Sequence, residues 1–192
     1  MSAIRILVAE DESIIRLDLR ESLEEEGYEV VAETARGDDA VELVERLRPD
    51  VAILDIKMPG LDGIEAARRI HEGRSAAVLI LTAFSQRDLV EQARDAGAQA
   101  YLVKPFQRAE LVPAVELALA RHRERIALED EVQQLEARLE ARKVIDRAKG
   151  MLIDEHFMTE ADAFSFIQKT AMRTRTTMQV VAEQILAGTL AP

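Results

Sequence analysis

Five short apolar runs recur through the first part of the chain: "IRILVA" (4–9), "EVVAE" (29–33), "VAIL" (51–54), "VLIL" (78–81) and "AYLV" (100–103). Their length and β-branched content suit strands buried on both faces. Helical periods fill the gaps between them. Ile15, Leu19 and Leu23 mark a first helix, ended by Gly27, and Val41, Val44 and Leu47 a second, stopped by Pro49. Ile64 and Ala67 mark a third, opened by "LDG". Val90 and Ala93 mark a fourth, with Ser85 and Asp88 as its capping pair, and Leu111, Val115 and Ala118 belong to a fifth. An unbroken βα alternation predicts an α/β fold with a parallel, doubly wound five-stranded sheet.

The strand ends carry chemistry. The first run ends in Glu10 and Asp11, the third in Asp55, the fourth in Thr82 and the fifth in Lys104. In an open parallel sheet ligands bind beyond the carboxyl ends of the strands, where the winding switches direction. One acid at a strand end is ordinarily a turn or cap residue, and Asp50 and Asp62, beside Pro49 and Gly63, read that way. Three acids gathered at one edge repel each other, and a hard divalent cation such as Mg²⁺ relieves that repulsion. With the cation in place Asp55 could attack a phosphorus atom, Lys104 hold a phosphoryl oxygen and Thr82 donate to another. The sequence shows no glycine-rich phosphate loop, so the chain reads as a phosphoryl acceptor and not as an enzyme of multiple turnover.

These residues resemble a known family. "VAED" with Glu10 and Asp11, "LDIKMPG" with Asp55, "LTAFS" with Thr82 and "AYLVKPF" with Tyr101 and Lys104 are similar to the receiver domain of two-component response regulators. The resemblance implies a flavodoxin-like receiver with Asp55 as phosphoacceptor and a sensor histidine kinase as donor. It also implies that Asp11, Asp55 and the Lys57 main-chain carbonyl bind Mg²⁺, with Glu10 acting chiefly through water. Thr82 and Tyr101 become a switch pair, Lys57 and Phe84 tune the phosphate lifetime, and the Lys104–Pro105 bond is expected to be cis.

No strand signal returns after about residue 107. Leu128, Val132, Leu135 and Leu139 alternate spacings of four and three, a coiled-coil seam that reads equally as a helix packed on its own domain or as a self-associating connector. From residue 142 three helices are predicted. Their stripes are Val144, Ala148 and Leu152, then Ala163, Phe164, Ile167 and Ala171, then Val181, Ile185 and Leu186, with Thr159–Asp162 and Thr176–Gln179 as caps. The expected division is residues 1–120, a connector at 121–141 and a small domain at 142–192.

Charge divides along the same lines. The chain carries −11 overall, but residues 142–192 hold 7 Lys+Arg against 6 Asp+Glu. Nucleic acid therefore does not suit the first part and remains open for the last. The absence of cysteine, of a membrane-length apolar run and of a signal-peptide pattern fits a cytoplasmic protein with no membrane partner. The three histidines are expected on the solvated surface.

"AKGML" (148–152), "TEADAF" (159–164), "RTRTT" (173–177) and "VAEQI" (181–185) resemble an ANTAR domain, the RNA-binding antitermination module. That resemblance implies binding to paired hairpins in nascent RNA, hence two ANTAR domains and a homodimer formed on phosphorylation or on RNA. Lys143, Arg147, Lys149, Arg173 and Arg175 are the nominated RNA contacts. The competing reading is a phosphorylation-controlled protein-interaction or dimerisation switch without RNA.

Overall fold

The computed structural model describes residues 3–83 and 87–191. Its elements run β1 (Arg5–Ala9), α1 (Ser13–Glu25), β2 (Glu29–Thr34), α2 (Gly37–Leu47), β3 (Val51–Asp55), α3 (Gly63–Glu72), β4 (Ala77–Thr82), α4 (Arg87–Asp95), β5 (Ala100–Val103), α5 (Arg108–His156), α6 (Glu160–Thr174) and α7 (Met178–Leu186). Every predicted strand falls on an observed one. Ser85 and Phe84 lie outside the described residues, so the Ser85–Asp88 cap is not among the observed contacts.

The five strands pair in parallel in the order β2-β1-β3-β4-β5. Successive strand residues point to opposite faces, and both faces are apolar because both are covered. Ile6, Val8, Ile53, Leu79 and Leu81 pack with Leu19 and Leu23 of α1 and Leu111 and Val115 of α5. Leu7, Leu54, Val78 and Ile80 pack with Ala40 and Val44 of α2, Ala66 and Ile70 of α3 and Ala93 of α4. Each fully buried Leu or Ile contributes about 1.5–3 kcal/mol relative to exposure, and together they hold the strand ends in place.

The chain divides into two compact units, Met1–Ala127 and Leu128–Pro192, and α5 supplies residues to both. The second unit has its own core of Ala148, Leu152, Ala163, Ile167, Ala171, Val181, Ala182 and Ile185. Its Thr159 cap forms as predicted: the hydroxyl accepts from the Asp162 N–H at 3.2 Å. The other cap moves by one residue. Thr177, not Thr176, accepts from the Val180 N–H at 3.3 Å, while the Thr176 hydroxyl lies 2.9 Å from that of Thr174. Adjacent threonines offer the helix start two registers, and α7 takes the later one.

The expectations for Phe164, His71 and His122 change. Phe164 is 44% exposed and lies outside the core; Ala163 alone occupies the buried position of that pair. Phe157 is 93% exposed, and Phe166 is half-buried against the core. His71 and His122 are half-buried, not solvated. His71 lies so close to Gly97 that a Cβ there would come within 2.2 Å of its ring.

Gly63 ties this scaffold to the strand edge. It opens α3, its N–H donates to the Ile56 carbonyl at 2.9 Å, and a Cβ at that position would sit 1.9 Å from the Asp55 carbonyl oxygen. Gly63→Ala is expected to destabilise the first unit by about 1–3 kcal/mol through overpacking, read as a lower midpoint in urea at unchanged slope.

Candidate functional site

Strand register carries the chemical groups to one edge as a staircase. β1 and β3 pair as far as Ala9–Leu54, so the next residues are Glu10 and Asp55. Asp55 is level with Leu81, which puts Thr82 one residue further along β4. Thr82 is level with Val103, which puts Lys104 one residue further again, its N–H donating to the Thr82 carbonyl at 2.7 Å. The chain winds from β1 to β2 in one direction and to β3 in the other. Glu10, Asp11 and Asp55 therefore stand at the switch point, where such sheets have their crevice.

The side chains then converge. Lys104 Nζ lies 2.5 Å from Glu10 Oε2 and 3.3 Å from Asp55 Oδ1. One oxygen each of Glu10, Asp11 and Asp55 lies within 4.8 Å of the others. Glu10 and Asp55 are buried and Asp11 is exposed. The Glu12 N–H donates to Glu10 Oε1 at 3.2 Å, and Glu10 Oε2 faces the Lys104 ammonium as an ion pair. Asp11, Asp55, Lys57, Thr82 and Lys104 line one cleft of about 380 Å³; Glu10 stands outside that lining.

Desolvation governs the electrostatics. Burial pushes the Glu10 carboxyl above the ordinary carboxylate range; the Lys104 ammonium opposes the shift and the Asp55 charge adds to it. Burial likewise pushes Asp55 up, opposed by Lys104 and assisted by Asp11. One ammonium thus stands against two buried acids, with a third at the mouth. The donor set consists of carboxylate oxygens, hard ligands suited to Mg²⁺ and not to a soft metal.

Of the predicted receiver residues that the structure describes, Tyr101 stays out of the assembly: it projects from the edge strand β5 and is 51% exposed. Asp50 and Asp62 do structural work, as expected. Asp50 Oδ2 accepts from the Arg5 N–H and Asp62 Oδ1 from the Glu65 N–H, both at 2.8 Å. The Lys104–Pro105 peptide is cis. In the second unit Lys143 pairs with Glu140 at 3.3 Å, and Lys149 pairs with Asp146 at 2.8 Å and Glu160 at 3.0 Å. The side chains of Arg147, Arg173 and Arg175 have no ion pair among the described residues; neither does Arg138, whose spacing of four from Arg142 could have singled it out in the sequence.

Residues 6–116 match the response regulator receiver domain, and residues 133–186 match the ANTAR domain. The chain belongs to the response regulators that join a receiver to an ANTAR domain. Over 182 residues, 95% of this chain and 89% of its relative, it is 59% identical to the transcriptional regulatory protein PdtaR of Mycobacterium tuberculosis. It is 36% identical over 112 residues to the chemotaxis protein CheY of Thermotoga maritima, covering 58% of this chain and 93% of that one. The receiver domain of the response regulator NarL from Mycobacterium tuberculosis superposes with a TM-score of 0.59 at 34% identity, covering 62% of this chain and 98% of that structure. A CheX–CheY–BeF₃–Mg²⁺ complex from Borrelia burgdorferi gives 0.56 at 29%, covering 58% and 86%. No helix among the described residues is long and apolar enough to cross a membrane.

A carboxyl whose folded pKa is raised opposes folding wherever it is ionised in the native state. Metal-free Asp55→Asn is therefore expected to be more stable than the wild type at neutral pH. That gain should shrink as pH falls through the folded pKa of Asp55 towards its unfolded value. Mg²⁺ at ten times its Kd should stabilise the wild type by about 1.4 kcal/mol, and Asp55→Asn by less. Thermal melts with and without Mg²⁺, from mildly acidic to neutral pH, check both.

Proposed function

We propose that this chain is a phosphorylation-switched regulator of transcription antitermination, with a receiver at residues 1–120, a helical connector at 121–141 and an ANTAR domain at 142–192. The observation that carries the reading is the Asp55 carboxylate, 3.3 Å from Lys104 Nζ and clustered with Glu10 and Asp11, in a chain that also matches an ANTAR domain.

An oxygen of Asp55 attacks the phosphorus of a phosphohistidine on a sensor kinase. The new P–O bond forms as the P–N bond breaks, and the imidazole leaves with the electron pair. Asp11, Asp55 and the Lys57 main-chain carbonyl would hold Mg²⁺, with Glu10 behind them. Bound there, the ion would neutralise charge on the transferring group. The Borrelia relative, whose structure carries BeF₃ and Mg²⁺, supports this assignment. Lys104 would pair with one phosphoryl oxygen as a point charge, and Thr82 would donate its hydroxyl to another. Drawing Thr82 towards the phosphate leaves room for Tyr101 to turn inward, changing the β4–β5 surface. That is a population shift in a two-state element.

The output is RNA binding through Lys143, Arg147, Lys149, Arg173 and Arg175, directed at paired hairpins in nascent transcripts in the cytoplasm. Leu128, Val132, Leu135 and Leu139 are 50% to 60% exposed in the single chain. A second copy covering that seam would place two ANTAR domains on two hairpins. The same seam favours a second reading, a dimerisation switch with no RNA role.

Two measurements separate the readings. Asp55→Ala, given phosphorylated kinase and Mg²⁺, is expected to incorporate no phosphoryl group above background; undiminished incorporation refutes the acceptor assignment. RNA affinity of the full chain is expected to fall steeply and linearly on log–log axes with rising salt. No binding to any paired-hairpin RNA at low salt would leave the dimerisation switch.

A further inference from the structure

The second unit contains a cleft of about 410 Å³ whose walls differ in chemistry. Arg138, Arg142, Asp146 and Lys149 descend one face of α5 at spacings of four, four and three, which places them on successive turns of the same side. Phe164 of α6 and Met178 of α7 form the facing apolar wall. Three cations and one carboxylate thus line the cleft, with Lys149 also 3.0 Å from Glu160, in a chain whose overall charge is −11. Asp146 is shared, 2.8 Å from Lys149 Nζ and 3.9 Å from Arg142 Nε, and its carboxyl is held below the usual range chiefly by the Lys149 hydrogen bond. Arg138 has no ion pair among the described residues.

Two further features point to an anionic, flat ligand. Met178 opens α7, whose first turn contains no acidic residue, so the positive end of that helix dipole is uncompensated at the cleft wall; α6, by contrast, has Glu160 and Asp162 in its first turn. Phe164 departs from the core stripe its spacing predicts and puts a 44% exposed ring into the cleft instead. A half-exposed aromatic face bordered by guanidinium groups is how proteins hold an unstacked nucleobase: the ring takes the base face and the cations take the adjoining phosphate. Methionine lines the rest of the wall with a polarizable surface that adapts to shape.

We propose that this cleft receives one unpaired base of an RNA hairpin loop, stacked on Phe164, with Arg138 on the neighbouring phosphate and Asp146 accepting from the base edge. The proposal deepens the RNA-binding reading and rests on it. It adds Phe164 and Arg138 to the interface and makes Lys149 part of the pocket frame, through its pairing with Asp146.

The test uses the full chain and a pool of tandem two-hairpin RNAs with randomised loops, enriched on the wild-type protein. Phe164→Leu keeps apolar volume and removes the π-face, so affinity for an enriched RNA is expected to fall about 5- to 150-fold, the range for loss of one base–aromatic stack. Making one particular loop nucleotide abasic is expected to cost the same factor, and on that RNA Phe164→Leu should cost nothing more. Arg138→Gln, at an exposed site, should reduce the slope of log affinity against log salt by about one. Wild-type affinity in Phe164→Leu, a loss equal on intact and every abasic RNA, or an unchanged slope in Arg138→Gln overturns the pocket while leaving RNA binding intact. Failure to enrich any RNA at low salt overturns both.

Discussion

Lys104 against the buried carboxylates of Glu10 and Asp55 is the central interaction of the receiver unit. Its ammonium is 2.5 Å from one acid and 3.3 Å from the other, at an edge where burial works against both charges. In water these groups would separate and hydrate. Here the backbones that carry them are fixed by a sheet packed on both faces, so the groups stay together. A fixed excess of negative charge beside a cleft that admits Lys57 and Thr82 suits a cation, and the cation in turn suits a phosphoryl group. Asp55 is thus a source of electrostatic strain in the native state and the acceptor residue of the proposed function.

The second unit solves a different problem with a smaller core. Eight buried residues, four of them alanine, hold three helices together. Small side chains let the helices approach closely and leave larger groups to face outward. Phe157, Phe164 and Met172 are all exposed. Charge is distributed in the same way. Residues 142–192 are near neutral overall, yet Arg147, Arg173 and Arg175 have no ion pair among the described residues, while Asp146, Glu160 and Asp162 are engaged in caps or ion pairs. Local pairing, more than net charge, decides which surface an anion would meet.

Much of this was readable in advance, for specific reasons. Strands buried on both faces announce themselves as apolar runs, and a strand that ends in a polar residue declares what it delivers. Glu10, Asp11, Asp55, Thr82 and Lys104 were therefore identifiable together, and Asp50 and Asp62 could be set aside by their turn neighbours. The helical unit was less transparent. Phe164 fits the apolar stripe of α6 as well as Ala163 does, because neighbouring positions differ by only 100° around a helix and the stripe is about that wide. Thr176 and Thr177 are both competent caps. His71 looked like a surface residue because nothing nearby in sequence shows that Gly97 would come to lie over its ring. The seam of Leu128 to Leu139 was visible as a pattern, but its exposure in the single chain was not.

The order of residues along the chain already specified the alternation of strand and helix, the carboxyl-end chemistry and the relationship to response regulators. These are properties of local periodicity and of which side chain follows which apolar run. Distances between groups belonged to the fold. The offset of strand register that sets Lys104 within reach of two acids, the desolvation that raises their carboxyls and the cleft that joins Arg138 to Phe164 arise between segments far apart in sequence. No local pattern encodes them, because each depends on how separate elements pack.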